Sequence, residues 1–181
     1  MQVTPCAIDG PLIIEPRVIS DDRGFFCESW NAAAFAEAGI DARFVQDNHS
    51  RSDRGVLRGL HFQNPQAQAK LIRVVNGAVF DVAVDLRRSS PTFGQWVGME
   101  LSASNKRMLW LPRGFAHGFL TLEDGTDFLY KCDAYYTPQH EHTLAWDDPA
   151  LGIEWPMPKN DIQLSEKDRN GTALSVIETF A

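Results

Sequence analysis

The chain has 181 residues, 44% of them hydrophobic, which is enough for one domain spanning 1–181 to bury a core without staples. A formal net charge of -7 and a pI near 5.1 argue against a nucleic-acid partner, because a duplex wants a basic face. Three widely spaced cysteines (Cys6, Cys27, Cys132) without a Cys-x-x-Cys pair signal neither a disulfide framework nor a zinc site. No basic-plus-apolar leader or ~20-residue apolar run is present, so a soluble, cytoplasmic protein without a membrane partner is expected.

In chain order, β-rich runs are predicted at Gly24–Trp30, Val56–Phe62, Leu71–Val75, Ala78–Leu86, Gln95–Leu101, Arg107–Leu111, Gly118–Leu122 and Thr126–Tyr136. The run Phe80-Asp81-Val82-Ala83-Val84-Asp85-Leu86 sends Phe80, Val82, Val84 and Leu86 one way and Asp81 and Asp85 the other. Turn chemistry separates the runs at Asp22-Arg23-Gly24, Asn76-Gly77, Ser90 to Gly94, Ser104-Asn105 and Asp124-Gly125. One helix is expected over Ala32–Ala38, capped by Asn31 and ended by Gly39. After Trp146 the tail is proline-rich, and Ser165-Glu166-Lys167-Asp168 offers a short helical start. Many short, punctuated strands mean a mainly β fold, here a cupin-like jelly-roll β-barrel with short N- and C-terminal helical or extended additions.

The segment Arg58-Gly59-Leu60-His61-Phe62-Gln63, then Lys70, then Pro112 to His117, has the outline of a two-part barrel metal motif with the wrong residues for a metal. Gln63 stands where a second imidazole is needed, and Lys70 stands where a carboxylate is needed. An ammonium has no lone pair for a metal, yet it stabilises an oxyanion well. The site therefore reads as acid–base chemistry on a barrel, not metal chemistry. Arg58 and His61 have opposite strand parity, so a distortion at Gly59 is predicted if both are to face inward. His140-Glu141-His142 looks like a metal cluster but is expected to be a solvated polar loop.

From about Ile13 to Asp168 the chain resembles the dTDP-4-dehydrorhamnose 3,5-epimerase family. The resemblance is carried by Asp22 to Phe26 with Glu28, Phe44 to Ser50, Leu57 to Gln63, Phe80 to Asp85, Ser90 to Trp96, Leu111 to Phe119, Phe128 to Lys131, Gly152 to Pro156 and Ser165 to Asp168. It implies a cofactor-free, metal-free isomerase, a homodimer in the family. Its nucleotide-sugar substrate is dTDP-4-keto-6-deoxy-D-glucose, inverted at C3 and C5 to dTDP-4-keto-L-rhamnose.

Carried over residue by residue, the resemblance makes His61 the base, Asp168 the carboxylate that orients it, Tyr130 the proton donor on the opposite face, and Lys70 the clamp for the enolate oxygen. By residue type alone, a strand histidine, a strand tyrosine and a loop lysine are more often structural, and Asp168 equally fits a capping box. The choice of Tyr130 over Tyr135 and Tyr136 rests on the resemblance. Arg58 and His117 match positions around the sugar and diphosphate. Arg23, Glu28, Gln46, Asn48, Glu141 and Lys167 match nucleotide-sugar contacts, with Arg23 and Glu28 assigned to the neighbouring subunit's site. The rival readings are a relative that inverts one centre, a metal-dependent barrel oxygenase and a non-catalytic sugar-nucleotide binding module.

Overall fold

The computed structural model describes residues 1–181. Strand alternation and tight turns produce β1 (Gln2–Pro5), β2 (Leu12–Glu15), β3 (Val18–Asp21), β4 (Gly24–Cys27), β5 (Gln46–Ser52), β6 (Leu57–Gln63), β7 (Lys70–Asn76) and β8 (Ala78–Asp85). They continue with β9 (Trp96–Ser102), β10 (Met108–Leu111), β11 (Phe115–Thr121), β12 (Thr126–Cys132) and β13 (Glu141–Thr143). Two short helices, α1 (Ala32–Glu37) and α2 (Glu166–Arg169), complete the elements used below.

The strands form two antiparallel sheets, β1-β2-β10-β7-β12-β5 and β13-β6-β11-β8-β9, with β3–β4 as a separate hairpin. Between the sheets lies a core in which Ile72, Val74, Leu109 and Phe128 of the first meet Val79, Ala83, Leu101 and Phe119 of the second. This is the jelly-roll barrel expected from the sequence. Each fully buried aliphatic or aromatic side chain there contributes about 1.5–3 kcal/mol by leaving water.

The alternation in β8 holds, but both of its faces are buried. Val82, Val84 and Leu86 point out of the barrel and pack under the C-terminal segment with Leu144, Leu151 and Ile177. Asp81 and Asp85, both 0% exposed, are on the other face. Neither carboxylate is unpaired: Asp81 takes His117 Nε2 at 2.9 Å, and Asp85 takes Arg87, Ser90 and Thr92.

α1 covers the outer face of the six-stranded sheet, where Phe35 packs with Ile14, Leu71 and Met108. Asn31 caps it as expected, its side chain accepting from the Ala33 and Ala34 amides. β5 was not foreseen, nor were β1, β2, β3 or β13. β5 is an edge strand of polar residues, Gln-Asp-Asn-His-Ser-Arg-Ser, and shows no hydrophobic alternation because its inner face lines a cavity. Two expected strands end early. Gly24–Trp30 stops at Cys27, and Thr126–Tyr136 stops at Cys132, where the backbone leaves the ladder.

The distortion expected in β6 is present. His61 pairs with His117 while Arg58 pairs with Phe119, so three steps on β6 face two on β11. Gly59 makes this possible with φ +123°. A Cβ there would lie 2.6 Å from Gly118 Cα and 2.8 Å from the His117 carbonyl oxygen. The extra residue cancels the parity conflict, and Arg58 and His61 reach the same cavity.

Candidate active site

Between the sheets opens a cavity of about 430 Å³, lined by β5, β7 and β12 on one side and β6 and β11 on the other, with α2 and β13 at its mouth. Ten of the twelve residues singled out in the sequence line it. His61, Lys70, Tyr130 and Asp168 are among them, as are Gln46, Asn48, Arg58, His117, Glu141 and Lys167. Arg23 and Glu28 are not. Arg23 sits in the β3–β4 turn with its side chain 89% exposed, paired with Asp21 at 2.5 Å. Glu28 is exposed and accepts from Asn31 Nδ2 at 3.2 Å.

His61 and Asp168 are 107 residues apart in sequence and in direct contact, Nε2 to Oδ1, at 2.5 Å. Asp168 is nearly buried because α2 folds over the end of β6. Ser165 fixes its second oxygen, donating Oγ–H to Oδ2 at 2.8 Å while accepting from the Asp168 amide at 3.1 Å. Burial works to raise the Asp168 pKa, but the hydrogen bonds from His61 and Ser165, with the His61 and Lys167 charges, bring it below the ordinary carboxylate range. The result is an ionised carboxylate that holds the ring by Nε2 and leaves Nδ1 as its unengaged nitrogen.

Tyr130 comes from the opposite sheet, on β12 between Asn48 of β5 and Ile72 of β7. Burial, with Cys132 and Glu141 adding to it, pushes its phenol up to about 12, so it keeps its proton at neutral pH. Lys70 opens β7 directly across from Cys132. Its ammonium lies 5.7 Å from the centre of the Tyr130 ring. The lysine ion pairs of the chain are those of Lys131, Lys159 and Lys167, and Lys70 is in none of them. Burial lowers its pKa, partly opposed by nearby negative groups. A cation poorly hydrated and unpaired inside a cavity is suited to an oxyanion.

Around this centre, His117 is buried and bound to both Asp81 oxygens, at 2.9 and 3.1 Å, and burial lowers its pKa against the pull of Asp81. Arg58 reaches across to β5, donating to Ser52 Oγ at 3.0 Å. At the mouth, Lys167 binds Glu141 at 3.0 Å, and the Tyr136 hydroxyl donates to the same carboxylate at 2.9 Å. The His140-Glu141-His142 segment is not a solvated loop. Glu141 and His142 belong to β13, which pairs with β6, and His142 stacks on Phe62 at 5.1 Å with its Nε2 against the Asn64 carbonyl. No group of three or more histidine, cysteine, aspartate or glutamate residues in the chain is placed to hold a metal ion.

Sequence reasoning missed several residues of the wall: His49, Ser50, Gln68, Phe119, Phe128, Tyr136 and Ser165. Ser50 was accessible, since it shares strand parity with Gln46 and Asn48. Ser165 was visible as a cap but not as a partner of the Asp168 carboxylate. Asp81 as the companion of His117 had no local signal, because β8 and β11 meet only in the fold.

The sequence model of dTDP-4-dehydrorhamnose 3,5-epimerases matches residues 5–175. The dTDP-4-dehydrorhamnose 3,5-epimerase of Pseudomonas aeruginosa is 58% identical over 181 residues, 99% of this chain and 99% of its own length. The enzyme of the same name from Salmonella typhimurium is 56% identical over 170 residues, 93% of this chain and 92% of its own. Among solved structures, the dTDP-6-deoxy-D-glucose-3,5-epimerase of Legionella pneumophila, in complex with dTDP-4-keto-L-rhamnose, superposes with a TM-score of 0.94 at 52% identity. That match covers 98% of this chain and 94% of the other. Barrel, cavity and sequence agree over nearly the whole length: the chain belongs to the dTDP-4-dehydrorhamnose 3,5-epimerase family.

Proposed function

We propose that this chain epimerises dTDP-4-keto-6-deoxy-D-glucose at C3 and C5 to give dTDP-4-keto-L-rhamnose, through enolate intermediates. The observation that carries the reading is that a histidine–carboxylate pair and a protonated phenol enter one cavity from opposite sheets, with an unpaired lysine beside them.

The chemistry follows from the substrate. C3 and C5 both flank the C4 ketone, so one carbonyl acidifies both C–H bonds. His61, oriented by Asp168, takes the proton from one face of the sugar, and the electron pair moves into the ketone to form an enolate. Lys70 stabilises the negative oxygen. Tyr130 then delivers its proton to the same carbon from the other face as the carbonyl re-forms. Once His61 has released its proton to solvent and Tyr130 has taken one up from it, the same step at the second carbon completes the double inversion. The proton that arrives replaces the one that left, and no electron is gained or lost overall. The reaction therefore requires neither a metal nor a redox cofactor, and the donor set fits that: the Gln63 amide is engaged by protein backbone and Lys70 offers no lone pair.

Arg58 suits the diphosphate by charge and forked geometry, with His117 beside the sugar; Gln46, Asn48, Glu141 and Lys167 suit the polar edges of the nucleotide. The working unit we propose is a homodimer of single-domain chains, residues 1–181. The β3–β4 hairpin supports it: Ile19, Phe25 and Phe26 are 53%, 61% and 66% exposed, a large apolar surface for a monomer. Arg23 and Glu28, at the turn and base of that hairpin, would then serve the second copy's cavity. Three free thiols, Cys6, Cys27 and Cys132, suit a reducing cytoplasm, and no helix is long and apolar enough to cross a membrane. The test is product identity. After incubation with dTDP-4-keto-6-deoxy-D-glucose and chemical reduction of the ketone, the reading expects a 6-deoxy-L-sugar from the chelator-treated protein and none from His61→Ala. Unchanged D-configured sugar from the unmodified protein would overturn it.

A further inference from the structure

Gln63 occupies the place where a barrel metal site would put a second imidazole, and its side chain does not enter the cavity. It is 3% exposed and fully engaged. Its Nε2 donates to the Gln66 carbonyl at 2.9 Å and the Tyr135 carbonyl at 3.3 Å, and its Oε1 accepts from the Thr137 amide at 2.8 Å. Two more glutamines act on the same stretch. Gln68 Nε2 donates to the Ala134 carbonyl at 2.9 Å, and Gln46 Oε1 accepts from the Tyr136 amide at 2.9 Å. Four consecutive residues, Ala134 to Thr137, are thus held through main-chain groups by amides from three separate segments instead of by a strand partner. β12 ends just before them, at Cys132, which is why the ladder gives way here.

What this stretch presents to the cavity is Tyr136. Its hydroxyl is tied to Glu141, which Lys167 also holds, and its amide to Gln46, so the phenol forms a wall at the mouth beside three of the residues read above as nucleotide contacts. A residue outside any strand ladder has no intrinsic reason to keep its side chain in one place. The glutamines supply that reason. We infer that Gln63 is a positioning residue for substrate binding: it sets the Ala134–Thr137 loop so that Tyr136 contacts the nucleotide half of the substrate, remote from the carbons that react.

The inference rests on the proposed nucleotide-sugar substrate and makes a kinetic distinction. A contact with a part of the substrate that does not change between ground and transition states alters KM and leaves kcat alone. Gln63→Leu, assayed with dTDP-4-keto-6-deoxy-D-glucose, is expected to raise KM roughly tenfold, the equivalent of one lost aromatic contact of ~1.4 kcal/mol, with kcat within about twofold of the parent. In a Tyr136→Ala background the same change should add little, because the wall it positions is already gone. Unchanged KM with only a fall in kcat or thermal midpoint would overturn the inference, and so would an equal rise in KM in both backgrounds. Should Gln63→Leu not fold, Gln63→Glu keeps the size and the bond from the Thr137 amide but loses the donors to the Gln66 and Tyr135 carbonyls, and its cycle with Tyr136→Ala carries the same two outcomes. No turnover by the parent protein would instead refute the proposed function, and is read in the same assay.

Discussion

Ser165→Ala removes one oxygen that does two jobs. Ser165 Oγ caps α2 by accepting from the Asp168 amide at 3.1 Å, and it donates to Asp168 Oδ2 at 2.8 Å. Loss of a serine cap costs about 1 kcal/mol of stability. In a 181-residue chain that is a fall of ~2–4 °C in Tm. The second loss bears on chemistry. A hydrogen bond to a charged acceptor is worth about 1.5–3 kcal/mol, and if about half of it is felt as disorder of the His61–Asp168 pair, kcat falls by roughly 4- to 12-fold. The sign of the pH effect is fixed. The Ser165 bond is one of the groups that hold the Asp168 pKa below the usual carboxylate range, so its removal raises that pKa. Asp168 then takes up a proton at a higher pH, and the acid limb of the kcat profile moves up. Ser165→Thr, which keeps the hydroxyl, should restore most of both effects. The assay is kcat against pH for the three proteins, beside thermal unfolding. A fall in Tm with an unmoved acid limb would mean that Ser165 only caps the helix, and the reasoning would be refuted.

Two further outcomes follow from the charges. Burial lowers the Lys70 pKa, so its ammonium is neutralised at a lower pH than that of an exposed lysine, and activity should fall on the alkaline side as the enolate clamp is lost. Lys70→Arg, which stays charged throughout that range, should be slower but should lack this alkaline decline; a limb unchanged by the substitution would assign it elsewhere. Asp85, held by Arg87, Ser90 and Thr92 against the cost of its burial, has a pKa of about 2. A carboxyl whose folded pKa lies below its unfolded value stabilises the fold fully above about pH 4 and stops doing so as the pH drops through 2. Asp85→Asn should therefore be less stable than the parent at pH 7, with the difference narrowing on acidification; a constant difference in urea midpoint from pH 7 to pH 2 would contradict this.

How much of this was legible depended on whether a residue's partner was local. Asn31 and Ser165 announce helix starts because caps bond within three residues, and both are seen as caps in the structure. The alternation of β8 was plain, though not which face looked inward; the acid-bearing face turned out to be the barrel's interior, made tolerable for Asp81 by His117, which arrives from β11, and for Asp85 by Arg87, Ser90 and Thr92 in the turn that follows. β5 could not be read by hydrophobic period because its inner face is a polar cavity wall. The bulge at Gly59 was legible only as a conflict, since Arg58 and His61 had to share a cavity that regular parity forbade. The contact between His61 and Asp168, and the four loop groups held by glutamine amides, had no signature in spacing at all. They join segments that only the fold brings together, and in the loop the partners are backbone groups that any sequence would supply.

The most direct test of the central claim, two enolates formed on one site by a base and an acid on opposite faces, is proton NMR of dTDP-4-keto-6-deoxy-D-glucose incubated with the protein in D₂O. The account predicts deuterium at both C3 and C5 with inversion in the parent protein, no exchange in His61→Ala, and exchange in Tyr130→Phe outpacing inversion, because the base still works while the opposite-face donor is gone. Inversion without deuterium at either carbon would contradict the enolate mechanism, and exchange confined to C3 would contradict the double epimerisation.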